Sequence, residues 1–247
     1  QSDWGSAVGV RWLDSRMAST LRKGFAAQAA RQLAPRVTTL APGLTESFVR
    51  EALLRAIHGV GPLPPAAEAA EEQLREQHGD RDKAVREVIE NHVFYASVEG
   101  LLTNLGGLVT AALVAPANIV GLTIIQSRMV AGIVHLRGYD LDEPRVRNAI
   151  MVSLLGEDAV HKLLKTHKIP ATPMAIATAP ALDPQLDRVV SGVLAGELVG
   201  RVVGKRMATT VGRRVPLVGG GIGMVADGAS TWRVGRYAAR EFLPRRR

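Results

Sequence analysis

From Gly100 to Ser127 the chain carries no charged side chain, 28 consecutive positions. In a soluble chain roughly a quarter of all residues are charged, so a gap of this length marks a segment that must be hidden from water. It exceeds the roughly 18 apolar residues that identify a membrane-span candidate. However, Thr103, Asn104, Thr110, Asn118, Thr123, Gln126 and Ser127 interrupt it, and Pro116 falls near its middle. We read two buried helices, about 96–114 and 117–136, joined at Ala115–Pro116. A true span or a membrane-inserting hairpin are the alternatives this run leaves open.

The segments around it read as helices too. One is expected from about Asp14 to Leu33, with Pro35 as its stop, and another from the N-cap Thr45 to His58, ending at Gly59. Gly61–Pro65 is a turn, 66–77 a short acidic helix closed by Gly79, and Asp80 opens a longer helix through Val85, Val88, Ile89, Val93 and Phe94. Arg137-Gly138-Tyr139-Asp140 is a helix end with Gly138 as its left-handed cap. Asp142 as cap, Glu143 and Pro144 then open a helix to about Leu155, and a short one follows over 157–167. Residues 168–184, with four prolines, form a loop. Asp183-Pro184 opens a long helix to about Arg214, and the last runs from about Leu217 to Phe242. No segment alternates as a strand. The expected fold is all-α, a multi-helix bundle, with residues 1–79 as amino-terminal helices, either part of the same domain or separate from it, and 80–247 as the main helical domain. The chain begins with Gln rather than Met, and its front holds no basic-then-apolar signal peptide.

Within the long helix Gly192, Gly196, Gly200 and Gly204 fall at strict four-residue spacing. Four residues is slightly more than one turn, so they make one bare stripe. Each helical glycine costs about 1 kcal/mol against alanine, and close approach of a second helix is the compensation expected. Gly219 and Gly223 repeat the spacing, which predicts a glycine-rich carboxy-terminal hairpin.

The sequence carries no recognisable catalytic or metal-binding motif. Cys is absent, which removes thiolate nucleophiles, disulfides and iron–sulfur ligation. The six histidines form no HExxH and no ligand pair on one helical face, so no metal site and no cofactor are expected. Gly228-Ala-Ser230-Thr-Trp232 lacks the second glycine of a nucleophile elbow. Gly221-Ile-Gly223-Met-Val-Ala226 satisfies a dinucleotide fingerprint, yet no further βα unit follows it.

Charge carries more information. Lys and Arg total 31 against 23 acids, a net +8. Residues 201–247 hold eleven basic side chains and only Asp227 and Glu241 as acids, so the whole excess sits at this end. Such a block attracts anionic partners, either a membrane surface or nucleic acid. Few stacking aromatics (4% of residues) and no helix-turn-helix pattern make nucleic acid the weaker choice.

Two stretches together resemble the EcsC protein family. The first is Glu99-Gly100 through Gly106-Gly107, Pro116, Arg128, Arg137-Gly138-Tyr139-Asp140, Pro144, Arg147 and Leu154-Leu155. The second is Lys205, Val215-Pro216-Leu217-Val218-Gly219, Gly223, Asp227, Arg236, Ala238-Ala239 and Phe242. The resemblance covers roughly residues 85–243. It implies an intracellular, helical, membrane-associated bacterial protein, and it implies no reaction.

The leading expectation is therefore a non-catalytic binding protein on the cytoplasmic face of the cell membrane. It would dock on anionic lipid or an integral membrane protein through Arg233, Arg236, Arg240, Arg245, Arg246 and Arg247, with Trp232 and Tyr237 at the headgroup level. The rival expectation is a lipid- or isoprenoid-binding carrier or enzyme. Its apolar pocket would lie between the uncharged helices, with Glu99, Arg128 and His135 as the polar end.

Overall fold

The computed structural model describes residues 46–59, 63–105, 111–180, 185–186, 188–196 and 219–245, and among them every regular element is a helix. In chain order these are α1 (Glu46–His58), α2 (Ala66–Glu76), α3 (Arg81–Leu105), α4 (Ala111–Leu136), α5 (Pro144–Ser153), α6 (Glu157–Lys165), α7 (Pro173–Ala177), α8 (188–196) and α9 (Gly219–Glu241). The fold is all-α, as expected. The helix anticipated over 14–33 and the turn between the helices anticipated to end at Arg214 and to begin at Leu217 lie outside the described residues.

Local chemistry sets most of the boundaries. Asp80 accepts the Lys83 backbone N–H at 2.9 Å and caps α3, and that bond holds its carboxyl below the usual range. Gly138, at φ +89°, closes α4: its N–H donates to the His135 carbonyl at 2.8 Å, and the Tyr139 N–H reaches the Val134 carbonyl at 3.2 Å. Pro144 is the first residue of α5, where its missing N–H costs nothing.

The centre of the bundle is α4. Every residue from Gly121 to Val134 is buried, which only a helix surrounded by others can achieve. α1, α2, α3 and α9 pack on it directly, so the amino-terminal helices α1 and α2 share one core with the rest. α9 lies antiparallel along α3 and makes the most extensive helix pair of the described fold. A Cβ built at Gly228 would overlap Ser97 Oγ, and one at Gly235 would meet Met129 Sδ at 2.9 Å and Ile89 Cγ1 at 3.0 Å. The helices approach this closely because glycine stands at both positions.

Four expectations need correction. The uncharged run is not divided at Pro116. α3 continues unbroken from Arg81 to Leu105, and α4 runs through the proline from Ala111 to Leu136. Pro116 is the sixth residue of α4 and removes one bond, to the Ala112 carbonyl, from a helix otherwise intact. The cap of α5 is Glu143 rather than Asp142, whose N–H is held by Asp140 Oδ1 at 2.9 Å. The proline-rich stretch 168–184 contains the helical turn α7, with Pro173 at its start. Finally, α9 ends at Glu241, one residue before the expected Phe242, and Arg245 lies beyond it.

Candidate functional site

The outward face of α9 begins with Val225 and Ala229 and continues through Trp232, Arg233, Arg236 and Arg240, all exposed. The opposite face (Asp227, Gly228, Thr231, Val234, Gly235, Ala238) is buried, so the sequence divides cleanly around the helix. The Arg236 guanidinium lies 5.7 Å from the Trp232 ring centroid, a cation–π contact that holds both side chains against the helix surface. Trp232 remains 40% exposed. Among the described residues no carboxylate pairs with Arg233 or Arg236. Arg240 differs, since its Nη2 reaches Glu157 at the start of α6.

Tyr237 does not belong to this face. It is buried at 4% exposure, and burial together with Glu241 and Glu157 drives its hydroxyl pKa upward. The expectation that it sits at a headgroup level is thus corrected. α9 presents it inward, about a quarter turn from the middle of the exposed strip.

Beyond Glu241 the chain turns back as a strap on the end of α4. Phe242 is fully buried and meets the Tyr139 ring edge-on, with centroids 5.4 Å apart. Tyr139 Oη donates to the Leu243 carbonyl at 3.1 Å, and the Arg245 N–H donates to the Arg137 carbonyl at 2.8 Å. The Arg245 guanidinium lies 5.2 Å from the Tyr139 ring centroid. Arg245 is therefore engaged by its own protein. Arg246 and Arg247 lie outside the described residues.

Of the three residues expected at the polar end of an apolar pocket, the Glu99 side chain lies outside the described residues. Arg128 is buried at 7% exposure, and its guanidinium donates to the Ala56 carbonyl (3.2 Å) and the Pro64 carbonyl (2.8 Å). Ala56 lies in the last turn of α1, so Arg128 supplies a cation and donors where that helix has unpaired carbonyls. Burial lowers the Arg128 pKa, and the nearby Tyr95 hydroxyl opposes this. On the neighbouring α3, the partly buried His92 donates from Nδ1 to the Val88 carbonyl at 2.7 Å. Loss of water around the ring, with the Arg128 charge adding to it, pulls the His92 pKa down to about 4. His135 instead pairs with Glu71 of α2 at 2.7 Å. Arg128 and His135 thus serve two separate helix contacts.

A cleft of about 590 Å³ opens where α1 and α4 end, lined by Ile57, His58, Ala67, His135, Tyr139 and Asp142 among others. Its walls mix apolar and charged groups. Among the described residues no group of three or more His, Asp or Glu could hold a metal ion. None of the described helices is long and apolar enough to cross a membrane.

The glycine column is described only in part. Gly192 and Gly196 lie in α8, and a Cβ built at Gly196 would meet no atom of the described residues within 4 Å. Gly219 and Gly223 lie in the first turns of α9, and Gly200 and Gly204 lie outside the described residues. The glycines that reasoning from sequence missed are Gly228 and Gly235. Their seven-residue spacing, two turns on one face, was the available signal. Comparison of the chain with protein-family models, with curated proteins and with solved structures returns no match.

Proposed function

We propose that this protein is a non-catalytic module that binds the anionic surface of a membrane through the outward face of α9. One observation carries the reading: Trp232 stays exposed with Arg236 stacked on it, beside an exposed Arg233 that has no carboxylate partner among the described residues. An aromatic body with cationic neighbours matches a bilayer interface, where the ring reaches the acyl boundary and the guanidinium stays among phosphates. Each well-placed arginine adds about 1 kcal/mol of attraction to an acidic leaflet. The EcsC resemblance supports the same reading through the membrane association it implies, and points to the inner face of the cell membrane.

The test is flotation with vesicles of phosphatidylcholine alone or with a third of phosphatidylglycerol. The protein should float with the acidic vesicles, lose this in high salt, and lose it in Arg233→Glu/Arg236→Glu. Equal flotation with both compositions, or with neither, refutes the proposal.

A further inference from the structure

We infer that the lipid-facing edge is composite: Phe94 of α3 inserts beside Val225 and Trp232 of α9 as one apolar ridge flanked by arginines. The inference rests on the membrane reading above and adds to it a second helix and a mode of contact.

Three observations place these side chains together. All three are large apolar residues left exposed, at 50% for Phe94, 65% for Val225 and 40% for Trp232. The register of the pair comes from the close approaches, Gly228 against Ser97 and Val93, and Gly235 against Ile89. This antiparallel register sets Phe94 level with Ala229, between Val225 and Trp232, whose seven-residue separation spans about 10.5 Å of helix.

The side on which each row lies follows from helical phase. On α3, Arg86, Glu90 and Phe94 form an exposed row, one residue on or three back from the contact row Ile89, Val93, Ser97. On α9, Val225, Ala229, Trp232 and Arg236 bear the same offset from Gly228 and Gly235. Two right-handed helices running antiparallel turn rows of equal offset to the same side of their contact plane. Phe94, Val225 and Trp232 therefore share one face.

The charges on that face favour an acidic bilayer as occupant. In these two exposed rows Arg86 and Arg236 are basic and Glu90 is the one acid, a net excess of one positive charge, and the exposed Arg233 next to Trp232 adds a second. A ridge one side chain wide, with guanidinium groups at its Trp232 end, suits insertion between headgroups better than the broad flat core of a protein interface.

The experiment uses the full chain. With wild type floating on acidic vesicles, Phe94→Ser should weaken binding about tenfold with an unchanged circular dichroism melt, since the side chain it removes is half exposed. As a second measure, Phe94→Trp in a Trp4→Phe/Trp12→Phe/Trp232→Phe background should lose fluorescence to lipids brominated on their acyl chains. Failure of wild type to float sinks the membrane reading itself. Flotation abolished by Arg233→Glu/Arg236→Glu but unchanged in Phe94→Ser, or no quenching of the indole introduced by Phe94→Trp in a protein that still floats, overturns the composite ridge alone.

Discussion

Replacing Gly235 with alanine tests the approach of α9 to Ile89 of α3 and Met129 of α4. In an ordinary helix interior the substitution stabilises by roughly 1 kcal/mol, because alanine gives up less backbone entropy on folding. At Gly235 the new methyl would lie 2.9 Å from Met129 Sδ and 3.0 and 3.1 Å from the two γ carbons of Ile89. Methionine can yield by rotating its flexible end. Ile89 is buried and branched at Cβ, so both γ carbons move only if α3 shifts. Overpacking of this kind costs about 1–3 kcal/mol, which leaves a net loss of up to about 2 kcal/mol after the propensity gain. Gly196→Ala is the internal control: nothing among the described residues lies within 4 Å of its Cβ, so it should stabilise by up to about 1 kcal/mol. Urea denaturation of both variants reads the difference in sign. Adding Ile89→Ala makes a cycle, in which Gly235→Ala should cost less beside the truncated residue than in wild type. Equal stabilisation by the two alanines, with no coupling to Ile89, would show that α3 and α9 do not meet as described.

Two further outcomes follow from polar groups drawn in from solvent. The native His92 resists protonation down to about pH 4, whereas the unfolded chain takes the proton near pH 6.5. Its contribution is therefore intact above about pH 6.5 and is lost as the pH falls toward 4, by about 3 kcal/mol in all. His92→Gln should flatten that acid slope in urea midpoints measured between about pH 7 and 4.5, and an unchanged slope would contradict it. Arg128→Met strips donors from the Ala56 and Pro64 carbonyls and should cost about 2–4 kcal/mol. A variant as stable as wild type would mean that Arg128 does not hold the end of α1.

Helix type and helix ends were readable because they depend on neighbours in sequence. Asp80 caps α3 through a residue three positions on, and Gly138 closes α4 by its own backbone angle. What was misread depends on distant residues or on weighing one local cost against many gains. Pro116 looked like a break, yet in α4 it forfeits a single bond while the buried face of the helix is kept. Charge arithmetic treats every arginine of the basic end as meeting solvent. Arg240 meets Glu157, 83 positions away, and Arg245 meets Tyr139, neither of which charge arithmetic can foresee. Tyr237 and Trp232, five residues apart, differ only in which side of α9 they occupy, and that is fixed by what packs there. The strict four-residue glycine stripe is the stronger sequence pattern, while the pair Gly228 and Gly235 carries the described close contacts between α9 and its neighbours.

The strap that fastens Leu243 and Arg245 to the end of α4 also fixes the order of assembly. Tyr139 finds its acceptor 104 residues later in the chain, and Gln126 finds Thr231 across a separation of 105. While the chain is being synthesised, α3 and α4 thus emerge long before the helix that covers them. For that interval Ile89 and Met129 face outward, together with the amide of Gln126. Contacts this far apart in sequence slow folding and expose sticky surface meanwhile. A nascent chain stopped short of α9 should therefore be held by chaperones, and release should coincide with the emergence of that last helix.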